Sequence, residues 1–162
     1  MKKVLLLIVA GLMVFSLAGC GNTEPGEEPV ETVPQISGTL EEIVEKIYND
    51  SGVELPKTMI TELNDENEAY FLGSNDVEYV RAIGSEPMMS SFAHSVVLLR
   101  VAEDADIESI ETTIKENVDP RKWICVSVEE DQVIVDHVGD VVILIMSAEA
   151  DALHDSFLAL AE

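Results

Sequence analysis

The sequence predicts an α+β fold, one domain in which a largely antiparallel sheet packs against helices. Three observations predict it. Apolar residues recur at helical spacing in three separate stretches. Short runs rich in Val, Ile and Leu lie between and after them, and the last of these runs are joined by connections too short for anything but antiparallel neighbours. The domain spans 39–162 and follows a segment at 1–19 and another at 20–38, each of different composition.

The elements follow in order. Thr39 and Glu42 have capping-box spacing, and Leu40, Ile43, Val44 and Ile47 make one apolar face before Asn49 to Gly52 ends the helix. Leu55-Pro56 begins an extended or turning segment. The polar cluster Asn64-Asp65-Glu66-Asn67-Glu68 then separates it from short strands expected around Ala69 to Leu72 and Val77 to Ile83. Ala93 to Val101 is apolar on both faces at its centre, which predicts an inner strand. Ile107, Ile110, Ile114 and Val118 recur at helical spacing, Glu111 and Lys115 pair at i,i+4, and Asp119-Pro120 closes the helix. Three strands are expected at Trp123 to Val128, Val133 to Val138 and Val141 to Met146, joined by Glu129-Glu130-Asp131 and by Gly139-Asp140. Ser147 can cap a last helix whose Ala150, Leu153, Phe157 and Leu160 point one way.

The N-terminus has a different logic. Lys2 and Lys3 precede an unbroken apolar and small-residue run from Val4 to Leu17, shorter than the ~20 residues a spanning helix needs. Leu17-Ala18-Gly19-Cys20 resembles the lipobox of bacterial lipoproteins, in which the cysteine thiol takes a diacylglyceryl group and cleavage leaves Cys20 first. The alternative is an ordinary secretory signal cut near Ser16-Leu17-Ala18, which releases a soluble protein. With two acyl chains at ~0.8 kcal/mol per buried methylene, the lipidated form stays on the outer face of the cell membrane. Gly21 to Gly38, with Pro25, Pro29 and Pro34 and little to bury, is expected to be a disordered tether with a coil span of roughly 23 Å.

Charge narrows the partners. The formal net charge is −23, and losing Lys2 and Lys3 with the signal makes the mature chain more acidic still. Nucleic acid is excluded as a partner because no basic stripe meets its phosphates, and anionic lipid repels the domain. Acidity of this kind suits a solvated surface, cationic partners or loosely held divalent ions.

No cofactor is called for, and no catalytic or metal motif stands out. With Cys20 lipidated, Cys125 has no intramolecular partner, and its place within Trp123-Ile124-Cys125-Val126 predicts a buried structural thiol in a strand. His94, His137 and His154 lack zinc-ligand spacing. Asp136-His137 and His154-Asp155 are adjacent pairs, but strand neighbours face opposite ways. The acidic stretches Asn64 to Glu68 and Glu103 to Asp106 lack a calcium loop and fit a turn and a helix N-terminus better. Arg100 shares a strand face with Val96 and Leu98, so it either sits at the strand end or is held by a carboxylate. His94, Arg100 and Arg121 are the candidates for a polar site. Met88, Met89 and Phe92 make the candidate partner contact, an adaptable apolar patch if exposed.

Glu86-Pro87-Met88-Met89-Ser90-Ser91, Ala93-His94-Ser95-Val96-Val97-Leu98, Asp119-Pro120-Arg121-Lys122-Trp123 and Gly139-Asp140 together resemble the bacterial lipoprotein family catalogued as domain of unknown function 4358. The resemblance runs from about Leu40 to Leu160. It implies no activity, and it suggests an accessory role beside membrane O-acyltransferases that modify envelope polymers in Gram-positive bacteria. The expected function is a non-enzymatic, membrane-tethered binding or accessory module whose partners are membrane lipid through Cys20 and an envelope protein. An envelope enzyme with an unrecognised site and a small-solute binder are the alternatives.

Overall fold

The computed structural model describes residues 34–162. The expected signal at 1–19, Cys20 and the expected tether up to residue 33 lie outside the described residues. The chain runs α1 (Leu40–Ser51), β1 (Thr58–Glu62), α2 (Glu68–Leu72), β2 (Arg81–Pro87), β3 (His94–Arg100), α3 (Ile107–Asn117), a 3-10 turn (Glu130–Gln132), β4 (Val133–Val138), β5 (Val141–Ser147) and α4 (Ala150–Leu158). The five strands form one sheet in the order β1-β2-β3-β5-β4, and every neighbouring pair is antiparallel. The α+β architecture is the one the sequence predicts.

Helices cover both faces, which gives two cores. Val96 and Leu98 of β3 and Ile143 and Ile145 of β5 pack with Ile43, Ile47, Leu153 and Phe157 under α1 and α4. The alternate residues Val97, Leu99, Val142 and Leu144 pack with Phe71, Leu72, Ile110 and Ile114 under α2 and α3. Strands β3 and β5 are sealed on both sides, so they read as continuous apolar runs without alternation. Each fully buried Leu, Ile or Phe among these contributes roughly 1.5–3 kcal/mol.

Local chemistry sets the boundaries. Thr39 and Glu42 exchange both capping-box bonds at the start of α1, and Gly52 closes it at φ 68°. Asp106 accepts from the Ser109 amide at 3.1 Å and starts α3, as the acidic stretch before it predicts. Between β4 and β5, Gly139 takes φ 58°, and a side chain there would overlap Gln35. Ser147 ends β5 and accepts from the Glu149 amide, so it serves the turn before α4 and not the cap position itself.

Four expectations are corrected. Ala69 to Leu72 belongs to the single-turn helix α2: the Asn67 side chain accepts from the Asn64 amide and the Asn64 side chain from the Glu66 amide, which winds the chain and turns Phe71 and Leu72 into the core. Val77 to Val80 is not strand, because β2 begins only at Arg81. Trp123 to Val128 is irregular chain that plugs the α3 face with Trp123 and Val128 while Ile124 is exposed, so Cys125 is exposed at φ 66° and not buried in a strand. The fold also starts before Thr39. Ile36 is buried among α1 and α4, and Gln35 and Glu162 exchange backbone hydrogen bonds.

Candidate functional site

The link between β2 and β3 forms one tip of the sheet. Pro87 has no amide to donate and ends β2, the Met88 amide reaches back to the Lys57 carbonyl at 3.2 Å, and the chain returns at His94. The side chains from Met88 to Phe92 are exposed. Met88 is 65 %, Met89 58 % and Phe92 40 % exposed, and Met59, opposite Glu86 on β1, is 57 % exposed. The partner-contact residues are therefore grouped at one surface.

Two buried polar groups support that tip, one on each side of the sheet. Toward α1, His94 is fully buried: its Nε2 lies 3.0 Å from the Tyr48 hydroxyl and its Nδ1 3.0 Å from Ser147 Oγ. Burial pushes the imidazole pKa down to about 4, so the ring is neutral and bonded at both nitrogens. Toward α2, the Lys122 side chain is only 5 % exposed, and its Nζ lies 2.8 Å from Glu86 Oε1 and 3.3 Å from Ser95 Oγ. The ammonium also sits 4.5 Å from the Tyr70 ring centre, 4.8 Å from Phe71 and 5.3 Å from Trp123. Burial lowers the Lys122 pKa, and the Glu86 carboxylate opposes that shift. Tyr70, itself 46 % exposed, donates to the second Glu86 oxygen at 3.1 Å and closes the network on its solvent side.

The structure does not bring His94, Arg100 and Arg121 into one site. His94 and Arg100 occupy opposite ends of β3, roughly 20 Å apart at ~3.3 Å per residue. Arg100 is held by Asp140, with Nη1 2.8 Å from Oδ2, and by the Gly38 carbonyl, so its strand-end position and its carboxylate are both real. The Arg121 side chain is 82 % exposed and 3.7 Å from Asp119.

A second cluster escapes sequence reasoning. Strand β4 is an edge, so Asp136 and His137, which point to opposite sides, can both wrap around it. His137 Nδ1 meets Glu111 Oε1 of α3 at 2.7 Å, and Asp136 Oδ2 meets His154 Nε2 of α4 at 2.7 Å. Asp136 also accepts from the His137 amide at 2.8 Å. Burial would raise the Asp136 carboxyl, but the His137 amide and the His154 ring outweigh it and hold the pKa below its ordinary value. The two pairs tie both helical layers to the edge strand. Ligand atoms of Glu111, Asp136 and His137 lie within 4.8 Å of one another, close enough for a divalent transition metal after small shifts, which spacing alone did not suggest.

No helix among the described residues is long and apolar enough to cross a membrane. Comparison with family models, with curated proteins and with solved structures finds no match.

Proposed function

We propose that the chain is a membrane-tethered extracytoplasmic lipoprotein whose domain acts as a non-enzymatic binding or accessory module at the cell envelope. Lipidation at Cys20 holds it to the outer face of the membrane, and the Met88, Met89 and Phe92 tip contacts an envelope protein. The observation that carries this reading is the exposure of those three side chains on a rigid base. Apolar groups at a tip cost solvation unless a partner covers them, and methionine adapts to a partner's contour. The base is held by buried bonds from His94 and Lys122, so binding spends little on ordering the segment beneath the patch.

In-cell crosslinking of the intact chain, compared with a variant carrying Met88→Ser, Met89→Ser and Phe92→Ser, tests the contact. One envelope protein captured by the unaltered chain and lost in the equally expressed variant is the expected result. Identical capture by both sinks the tip as the contact. Labelling with a palmitate analogue, lost in Cys20→Ser, tests the anchor.

A further inference from the structure

Two acidic stretches far apart in the chain, the turn ending at Glu68 and the loop before α3, meet across one open cleft of about 820 Å³. Asp65, Glu68, Glu78, Asp104 and Asp106 line it with Tyr79, and no Lys, Arg or His does. A neighbouring hollow that shares Glu78 and Asp106 adds Asp76. The cleft therefore concentrates negative potential with no internal cation to neutralise it.

Glu68 provides a second, independent observation. It is 5 % exposed; its Oε2 accepts from the Tyr79 hydroxyl at 3.2 Å, and its Oε1 is buried without a hydrogen-bond partner among the described residues. Burial, and then the Glu68 charge, push the Tyr79 pKa up to about 12, so that hydroxyl remains a donor. A buried carboxylate oxygen left in this state is costly.

The spread of the charges selects the ligand. A metal ion needs ligand atoms converging on one point, and among the described residues three come within 4.8 Å of one another only at Glu111, Asp136 and His137. The cleft carboxylates do not converge in that way, and Val77, Val80, Ala102 and Ala105 line the same cleft. Negative charges spread over a cleft that also offers apolar surface fit separated ammonium groups joined by methylenes. We propose that this cleft binds a linear aliphatic polyamine, with one ammonium at Glu68 and another between Glu78 and Asp104. This site is distinct from the tip and goes beyond the accessory-module reading.

Calorimetric titration of the full-length chain with spermidine, in detergent, tests it, with magnesium and calcium chloride as parallel titrants. Saturable one-to-one binding is expected. It should weaken about tenfold in Glu68→Gln and again in Glu78→Gln, the loss of one charge-assisted hydrogen bond each. Glu130→Gln, which does not line the cleft, should leave it unchanged, and circular dichroism should show all variants folded. Absence of saturation, equal weakening by Glu130→Gln, or equally tight binding of either divalent ion at the same site would overturn the proposal.

Discussion

The two ends of the β2–β3 pair solve the same problem in opposite ways. At one end Arg81 meets Glu41 and Glu62, and Arg100 meets Asp140, all with side chains 29–67 % exposed. At the other, His94 is fully buried and the Lys122–Glu86 pair is only 5 % and 18 % exposed, with the ammonium against Tyr70, Phe71 and Trp123. Water screens the first set, and protein alone answers for the second. Exposed ion pairs mark where the sheet can end cheaply, whereas buried ones fix a geometry that water would otherwise blur.

The sharpest way to break that contrast is Lys122→Ala, which leaves the largely covered Glu86 carboxyl without its ammonium partner. Unfolding free energy should fall by about 3–5 kcal/mol in urea titrations. A loss under about 1 kcal/mol would mean that water already reaches the pair.

His94 gives the next effect, and it depends on pH. Its pKa is depressed from 6.5 to about 4 in the fold, so the unfolded chain binds the additional proton between those values. Its contribution is therefore complete above pH 6.5 and is lost as pH falls towards 4, by roughly 3 kcal/mol at ~1.36 kcal/mol per unit. Urea midpoints across that range should fall less steeply for His94→Gln than for the unaltered chain; parallel profiles would show that the ring is not held neutral.

Arg100→Gln completes the comparison at the exposed end. The expected loss is about 1 kcal/mol or less, shrinking further in high salt. A loss matching that of Lys122→Ala would erase the distinction between the two ends.

Much of the fold was legible because its signals are local. The Thr39–Glu42 cap, the α3 periodicity and the apolar run of β3 each lie within a dozen residues. The segment Ala69 to Leu72 misled because four apolar residues fit a strand and a single helical turn equally, and the Asn64 and Asn67 side chains decided for the turn. Trp123 to Val128 misled because its apolar residues serve packing and not a ladder: Trp123 and Val128 are buried in the α3-side core, and the segment pairs with neither edge strand. The exposure of Met88, Met89 and Phe92 was left open by sequence, since the same residues bury well when a surface faces them.

By itself the sequence determined the α+β class, the faces of α1, α3 and α4, the central place of β3, and the acidity of the chain. Only the tertiary structure decided which charges meet. It separated His94 from Arg100, gathered Glu111, Asp136, His137 and His154 at one edge, and set the two acidic stretches across one cleft. The reason is range. Helical and strand periods are written by neighbours within a few residues, whereas Coulomb and hydrogen-bond partners are chosen by strand pairing and helix packing between residues far apart in the chain.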